Sequence, residues 1–328
     1  MLIDPFGRAI TYLRISLTDR CNLRCAYCLP ASGIRWLPRD ELLTADEIVR
    51  VVEAAVRQGI SSIRLTGGEP LVRPDALAIV ARIAAIPGIR DLSLTTNAVL
   101  LEQLAKPLAG AGLKRVNISL DTLDAAKFRR VTRFGDFSRA WSGILAAEKA
   151  GLTPIKLNVV VVGGFNTDEL PRLACLTLDH PWHVRFIELM PVGNQQSWGE
   201  DLPAPQKRYF SLQEMYCQLS NLKLRPETAP VGNGPARTFR IPGALGLVGF
   251  ISPVSEHFCG TCNRLRLTAD GRLRTCLLVD DEISLREALR REMPLEPLLV
   301  QAVQHKVRGH ELASRHYPEA RRMAQIGG

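Results

Sequence analysis

Three closely spaced cysteines are the residues of this chain best suited to chemistry. Cys21, Cys25 and Cys28 form a C-x3-C-x2-C run that follows an apolar segment, residues 11–17. Cysteine thiolates are the usual ligands of iron–sulfur clusters, and a cubane [4Fe–4S] cluster has four irons to ligate. Three thiolates therefore leave one iron open to a substrate or cosubstrate. A structural zinc site is the alternative, although such sites normally use four ligands, most often as two C-x2-C pairs.

A second set of three cysteines lies near the C-terminus. Cys259 and Cys262 are followed, after thirteen intervening residues, by Cys276. The spacing is as compatible with a zinc knuckle as with a second cluster, because His257 or Glu256 can supply a fourth zinc ligand. Both alternatives remain open on spacing alone.

A hairpin is predicted within this second set. Residues 263–268 and 272–277 are strand-like, and Ala269-Asp270-Gly271 is typical of the turn between them. Such a hairpin places Cys262 and Cys276 at its two base ends, so the three thiols can converge.

Four arginines lie on this hairpin. Arg264 and Arg266 share one face of the first strand, and Arg272 and Arg274 share one face of the second. Four guanidiniums on one hairpin repel each other unless they are solvated or paired with an anion. The alternatives are a solvated basic face and a phosphate-binding wall.

The composition is that of a globular protein, with 46% hydrophobic and 23% charged residues. Neither a bilayer-spanning apolar run nor a signal peptide is recognisable, so we expect a cytoplasmic protein without membrane contact. In that compartment cysteines serve metal or redox chemistry rather than disulfides. The net charge of +9, from 42 basic and 33 acidic residues, indicates an anionic ligand such as a nucleotide, a nucleic acid or phosphate.

Strand-like and helix-like segments alternate along the first two-thirds of the chain. This repeat predicts parallel strands with helices outside, and six units favour a partial (β/α)6 barrel over a closed barrel, with a flatter doubly wound sheet as the alternative. The predicted strands are residues 11–17, 62–65, 91–94, 115–120, 155–162 and 184–189. The predicted helices are residues 44–59, 75–86, 101–109, 124–131, 138–150 and 168–178.

Prolines and glycines become frequent between residues 198 and about 246, which indicates a domain boundary. We place a barrel domain at residues 1–225 and a C-terminal α+β domain at residues 226–328. Outside the hairpin, the predicted elements of this part are helices at residues 211–219, 284–291 and 298–308 and a strand at residues 246–252.

Unusual residues cluster where the predicted strands end. Thr66-Gly67-Gly68-Glu69-Pro70 follows the second strand, and Thr95-Thr96-Asn97 ends the third. Ser119 and Asp121 lie at the end of the fourth strand, and Met190 follows the sixth. Parallel βα barrels build their active sites at this face.

Basic residues also lie within the predicted strands. They are Arg14, Arg64, Lys156 and Arg185. A charged residue in a parallel strand either points into the barrel lumen or costs burial energy. Several inward basic groups again imply an anion.

The first cysteine run with Tyr27, together with Thr66-Gly67-Gly68-Glu69-Pro70, resembles the motifs of the radical S-adenosylmethionine (SAM) enzymes. The second cysteine set, the Asn263-Arg264-Leu265-Arg266-Leu267 run and the terminal Gly327-Gly328 are similar to those of the members that cyclise GTP in molybdenum cofactor biosynthesis. The match runs nearly end to end.

The resemblance implies a partial (β/α)6 barrel whose C-terminal extension carries a second [4Fe–4S] cluster. The first cluster would bind SAM at its open iron and cleave it to a 5′-deoxyadenosyl radical. That radical would take the 3′ hydrogen of GTP, and the resulting carbon radical would attack C8 of guanine. The second cluster would hold the guanine, which positions the base against a short-lived radical.

The resemblance also assigns residues. It implies metal ligation by Cys21, Cys25, Cys28, Cys259, Cys262 and Cys276. It implies SAM contacts from Tyr27, Gly68, Ser119 and Met190. It implies GTP contacts from Arg14, Arg64, Thr95, Lys156, Arg264, Leu265 and Arg266, with Arg264 and Arg266 as catalytic residues and Arg185 as an added triphosphate contact. The tail, Gly327 and Gly328, is expected to reach the active site.

The implied partners are GTP, an electron donor such as flavodoxin, and, as the next enzyme of the pathway, cyclic pyranopterin monophosphate synthase (MoaC). We expect a homodimer that binds neither nucleic acid nor membrane. A radical SAM enzyme that modifies a peptide or RNA and a zinc-bearing nucleic-acid-binding protein are the competing hypotheses.

Two residues depart from the family pattern. Ser62 stands where many relatives have lysine, which removes one expected triphosphate contact. Ala98 stands where glycine is usual, and alanine tolerates positive φ poorly, so we expect that turn to differ slightly.

Overall fold

A computed structural model describes residues 1–192, 198, 202–229, 234–310, 312, 318 and 320–327. Within those residues, no helix has the length and apolar character needed to cross a membrane.

The described strands form one sheet in the order β12-β11-β10-β1-β2-β3-β4-β5-β6-β9-β8-β7. Neighbouring strands from β1 to β6 are parallel and follow chain order. The strands are β1 (Tyr12–Ser16), β2 (Ser62–Thr66), β3 (Asp91–Thr96), β4 (Arg115–Ser119), β5 (Lys156–Val161), β6 (His183–Glu188), β7 (Arg225–Pro226), β8 (Arg237–Arg240), β9 (Leu247–Ile251), β10 (Arg264–Leu267), β11 (Arg272–Arg274) and β12 (Glu282–Ser284).

Helices connect the parallel strands. The first helix begins with the capping box that the sequence indicates. The Thr44 side chain accepts a hydrogen bond from the Glu47 N–H, and the Glu47 carboxylate accepts one from the Thr44 N–H. The helices are α1 (Ala45–Arg57), α2 (Ala76–Ala84), α3 (Leu101–Gly110), α4 (Ala125–Thr132), α5 (Phe137–Lys149), α6 (Leu170–Asp179), α7 (Leu212–Gln218), α8 (Arg286–Arg290), α9 (Glu296–Gln304) and α10 (Met323–Ile326). Short 3-10 turns occupy Arg39–Glu41, Pro70–Val72, Thr167–Glu169, Pro205–Lys207, Ser220–Leu222 and Cys259–Thr261.

The two faces of the parallel strands differ in chemistry. Alternate residues such as Leu13, Ile63 and Val116 are fully buried in the apolar core beneath the helices. The residues between them, such as Arg14 and Asn117, lie on the opposite face, which we call the inner face. Parallel strands that are buried on both sides normally read as continuous apolar runs. The polar inner face therefore indicates a ligand site rather than a second core.

The partial barrel is confirmed, and each of its six strands and six helices lies within a few residues of its predicted position. The C-terminal extension is joined to the barrel through one continuous sheet. β10 pairs in parallel with β1, and β9 pairs in parallel with β6, so the extension covers both edges of the six-stranded sheet. These pairings bring the second cysteine set to the same sheet as the first.

Four short elements were not predicted: β7, β8, β12 and α10. β8 and β7 follow β9 at one end of the sheet, and β12 forms the other end. The helix predicted from residue 284 begins only at Arg286, because Ser284 belongs to β12 and pairs there with Arg272 of β11.

The Gly67-Gly68 turn packs directly on the segment that leads to Cys21. The Gly68 N–H donates to the Thr18 carbonyl at 2.8 Å. A Cβ on Gly68 would lie 2.3 Å from the Arg20 carbonyl oxygen. Only glycine fits here, because the obstructing atoms belong to the backbone of the neighbouring loop.

We expect Gly68→Ala to displace the loop before Cys21, with a stability loss of about 1–3 kcal/mol from overpacking and reduced iron incorporation at the first triad. Gly110→Ala is the matched control, because a Cβ at this exposed position of α3 meets no atom within 4 Å. Urea unfolding and iron analysis after reconstitution measure both effects. Equal stability and iron content in the two variants would refute the close approach.

Candidate active site

The first cysteine triad lines one cavity at the carboxyl end of the parallel strands. The three thiols are half-buried and unbridged, and the cavity also contains Gly67 and Gly68. Burial raises the pKa of Cys21 to about 11 and, together with the charge of Cys21, raises that of Cys28 to about 12. Burial and the charges of Cys21 and Cys28 raise the pKa of Cys25 as well. Three thiolates in this position need a positively charged group between them, and a [4Fe–4S] cluster fits that requirement.

A mononuclear zinc site fits the two triads less well. Among the residues that the structure describes, no three His, Cys, Asp or Glu side chains gather closely enough to hold one metal ion. Zinc requires its thiolates about 2.3 Å from a single centre. A cubane cluster spreads its three thiolates over three different irons, so a wider triad suits it.

The residues predicted to contact SAM lie together around the first cavity. Tyr27, Gly68, Ser119 and Met190 all line it, although they come from four separate segments. Thr95, which was predicted to contact GTP, lines the same cavity. A cosubstrate on the open iron would therefore lie beside part of the predicted nucleotide site.

Asp121 fixes the Tyr27 side chain. The Tyr27 hydroxyl donates to Asp121 Oδ2 at 2.7 Å, and the Val160 N–H donates to Asp121 Oδ1 at 2.8 Å. Burial raises the pKa of Asp121 to about 6. The sequence singled out Asp121 only by its place at the end of a strand, and this positioning contact was not predicted.

Glu69 ties the ends of β2 and β3 together. Its carboxylate accepts hydrogen bonds from the N–H groups of Leu71 and Asn97 and from the Thr96 hydroxyl. Burial raises the pKa of Glu69 to about 7. The Asn97 side chain in turn donates to the Asn22 side chain at 2.7 Å, which connects this end of the sheet to the first cysteine triad.

The second triad lines a separate cavity. Cys259, Cys262 and Cys276 surround it together with Arg264 and Arg266, as the predicted hairpin requires. Met190 lines both cavities, so the two sites adjoin.

Two cations lie close to the second triad. The Lys306 ammonium donates to the carbonyls of Arg264 at 3.0 Å and Thr275 at 2.5 Å. Although burial alone raises the pKa of Cys262, the charges of Arg264 and Lys306 lower it below its ordinary value. Cys262 therefore favours the thiolate form that iron binds, whereas burial raises the pKa of Cys259.

The inner face of the sheet is strongly basic. Burial and mutual repulsion lower the pKa of Arg14 and Arg64, that of Arg185 to about 9, and that of Lys156 to about 6. On this face of β1–β6, Asp91 is the carboxylate that opposes them. Positive charge in such excess is typical of a site for a polyanion.

The hairpin arginines divide into two pairs with different roles. Arg274 is fully buried and pairs with Asp280 and Glu282, and Arg272 lies 3.6 Å from Glu282. These two arginines pair with carboxylates of the chain itself, and the Arg272 side chain is also 45% exposed. The phosphate-binding wall therefore does not extend to β11. Arg264 and Arg266 line the second cavity.

Leu265 is also placed apart from the ligand site. Its side chain is fully buried in the apolar core, on the opposite face from Arg264 and Arg266. A GTP contact at this position is therefore limited to its backbone atoms.

The C-terminal tail enters the inner face. Arg266 Nη1 donates to the Gly327 carbonyl at 2.7 Å, and a Cβ on Gly327 would lie 2.7 Å from the Thr66 side chain. Arg321 holds the tail through Asp270 at 2.8 Å and Glu282 at 2.7 Å. Gly328, the other predicted tail residue, lies outside the described residues.

Both departures from the family pattern are buried. Ser62 begins β2 and supplies no cation. Ala98 adopts φ +66°, so the turn after β3 has the positive φ that glycine would allow. The slight difference expected at this turn is not observed, since the fully buried Ala98 adopts the conformation that glycine would.

Comparisons with known proteins agree with this geometry. Residues 15–175 match the Radical SAM superfamily, and residues 182–312 match Molybdenum Cofactor Synthesis C. The chain is 48% identical to the GTP 3′,8-cyclase of Pelotomaculum thermopropionicum over 330 residues, 99% of each chain. It is 45% identical to that of Listeria monocytogenes over 338 residues, 100% of this chain and 99% of the relative.

A solved structure shows the same fold at low sequence identity. Streptococcus suis SuiB is 14% identical, with a TM-score of 0.64, and the similarity covers 95% of this chain and 76% of SuiB.

We expect the Asp121 carboxyl to make stability fall as pH rises. Its folded pKa of about 6 lies above the unfolded value of about 3.9, so its contribution is complete below about pH 4 and is lost by about pH 6. Asp121→Asn cannot titrate. The free energy of unfolding of this variant relative to wild type should therefore rise between about pH 4 and 7, measured by urea unfolding.

Asp124→Asn is the matched control for this pH experiment. Hydrogen bonding to the Lys127 N–H lowers the pKa of Asp124, so its contribution is already complete above about pH 4. The free energy of unfolding of Asp124→Asn relative to wild type should therefore not rise between about pH 4 and 7. A pH-independent difference for Asp121→Asn would contradict the buried, proton-holding carboxyl.

Proposed function

Because this chain belongs to the GTP 3′,8-cyclase family of radical SAM enzymes, we infer that it converts GTP to (8S)-3′,8-cyclo-7,8-dihydroguanosine 5′-triphosphate, the first step of molybdenum cofactor biosynthesis. One observation carries the inference most directly. Two cysteine triads line adjoining cavities that share Met190, and the sheet face beneath them is basic.

Each triad holds a [4Fe–4S] cluster with one open iron. When bound, the first cluster supplies the electron that cleaves SAM and so generates the radical that takes the 3′ hydrogen of GTP. The carbon radical at C3′ then adds to C8, and one further electron from the donor with a proton at N7 completes the 7,8-dihydro product, which is an isomer of GTP. The chain itself must hold SAM and GTP side by side and keep water from the radical.

The SAM contacts that we propose are Tyr27, Gly68, Ser119 and Met190. Their common position around the first cavity supports this assignment. The hydrogen bond from Tyr27 to Asp121 fixes the aromatic ring, and Gly68 lines the cavity beside the loop that leads to Cys21.

The GTP contacts that we propose are Arg14, Arg64, Thr95, Lys156, Arg185, Arg264, Leu265 and Arg266. Arg14 is paired in register with Arg64 on one side and with Arg266 on the other, so three guanidiniums lie side by side across neighbouring strands. Burial and mutual repulsion lower the pKa of each of the three, and the phosphates of a bound nucleotide would favour their charged forms. Arg264 and Arg266 extend this row to the second triad, where guanine would bind.

We further propose a cytoplasmic homodimer that takes electrons from a small acidic protein such as flavodoxin and whose product is used by cyclic pyranopterin monophosphate synthase. The reliance on six thiolate ligands supports a reducing compartment. We also propose a domain boundary at residue 225, although strands from both sides of it belong to one sheet.

Anaerobic reconstitution with iron and sulfide tests the function. We expect about eight irons per chain, as two cubane clusters require. With reductant and SAM, addition of GTP should raise 5′-deoxyadenosine formation and yield an isomer of GTP by mass spectrometry. SAM cleavage that is indifferent to GTP but stimulated by a peptide or RNA would support the competing radical SAM hypothesis instead.

Cys276→Ser separates the roles of the two triads. This variant should retain about four irons and cleave SAM but form no cyclised product, because guanine loses its anchor. Cys217→Ser is the matched control, since this exposed thiol belongs to neither triad. Unchanged product yield in Cys276→Ser would contradict the positioning role of the second cluster.

A further inference from the structure

Arg115 continues the arginine row across the inner face. It begins β4 and is paired in register with Ser93 of β3, which is itself paired with Arg64 of β2. The same row runs on through Arg14 to Arg266. Arg115 therefore lies at the opposite end of the row from the second cysteine triad.

The Arg115 guanidinium is buried with most of its hydrogen-bonding capacity unused. The side chain is 2% exposed, and Nη2 pairs with Asp91. Nε and Nη1 are buried and have no hydrogen-bond partner. Leaving charged donors buried without partners costs free energy, and the cost is recovered when a ligand supplies acceptors.

A short polar side chain lies between Arg115 and its neighbour in the row. Ser93 separates Arg115 from Arg64, and the Ser93 hydroxyl already accepts from Arg64 Nε at 3.3 Å. Two guanidiniums that flank a serine offer donors on both sides of one small anion. The charge of Arg115 also lowers the pKa of Arg64 and Lys156, so it acts on the same electrostatic site.

We propose that Arg115 is a further substrate-binding residue, which contacts the terminal phosphate of the nucleotide and makes the site selective for triphosphates. The assignment rests on the proposed function, in which guanine binds at the second triad beside β10. From there the nucleotide runs across β1, β2 and β3 toward β4, a span of four strand spacings or about 19 Å along the sheet. Its far end, the terminal phosphate, meets Arg115.

The test compares nucleotides that differ only in phosphate number. GTP, GDP and GMP are bound to the reconstituted enzyme by anaerobic equilibrium dialysis. The variant is Asp91→Asn combined with Arg115→Met, because removal of both partners avoids a buried unpaired carboxylate. Glu227→Gln combined with Arg240→Met is the matched control. It removes an ion pair at the β7–β8 end of the same sheet, away from the inner face.

We expect the Asp91 and Arg115 double variant to lose about 10- to 100-fold in GTP affinity, which is the worth of a charge-assisted hydrogen bond. Its GDP and GMP affinities should stay within about threefold of wild type, and Arg115→Lys should restore part of the preference for GTP. The control double variant should leave all three affinities unchanged.

Two results would overturn the assignment. If GTP and GDP affinities fall together, Arg115 acts only through the fold. If GTP affinity is unchanged, Arg115 does not meet the nucleotide. Wild-type enzyme that fails to bind GTP would be a different failure, because it would overturn the proposed function and this assignment with it.

Discussion

Positive charge concentrated on one largely buried face of the sheet is the constraint on which this structure depends. Arg14, Arg64, Lys156 and Arg185 share one face of the parallel sheet, opposed there by Asp91. Burial and repulsion make their charged forms costly, as their lowered pKa values show. A polyanionic substrate removes that cost on binding, so nucleotide affinity and stability of the loaded enzyme are linked.

The open barrel explains how a second metal site joins the first. Six parallel strands do not close, so β1 and β6 would each expose an unpaired edge. The C-terminal segment covers both edges with β10 and β9, and β10 carries Arg264 and Arg266 into the arginine row. Edge protection and substrate binding are thus served by the same strands.

Much of the barrel could be predicted, because its strands and helices have clear periodicity and local stop signals. The spacing of the first triad indicates a cluster, and positions at strand ends single out several residues of the first cavity. The role of the second triad and the SAM contacts follow only from the family resemblance. β7, β12 and α10 are too short to show a period. The contacts of Glu69 and Asp121 and the partners of Arg274 depend on residues far apart in the chain, which one sequence does not bring together.

The arginines beside the tail form two groups, according to whether a carboxylate pairs with them. Arg274 and Arg321 share Glu282, and these pairs hold β11, β12 and the tail together. Arg266, on the adjacent strand, has no such carboxylate in the described contacts and instead donates to the neutral Gly327 carbonyl. A carbonyl satisfies the donor but leaves the charge, so Arg266 keeps its attraction for phosphate. The acidic cluster thus fixes the tail beside the site without competing for the substrate.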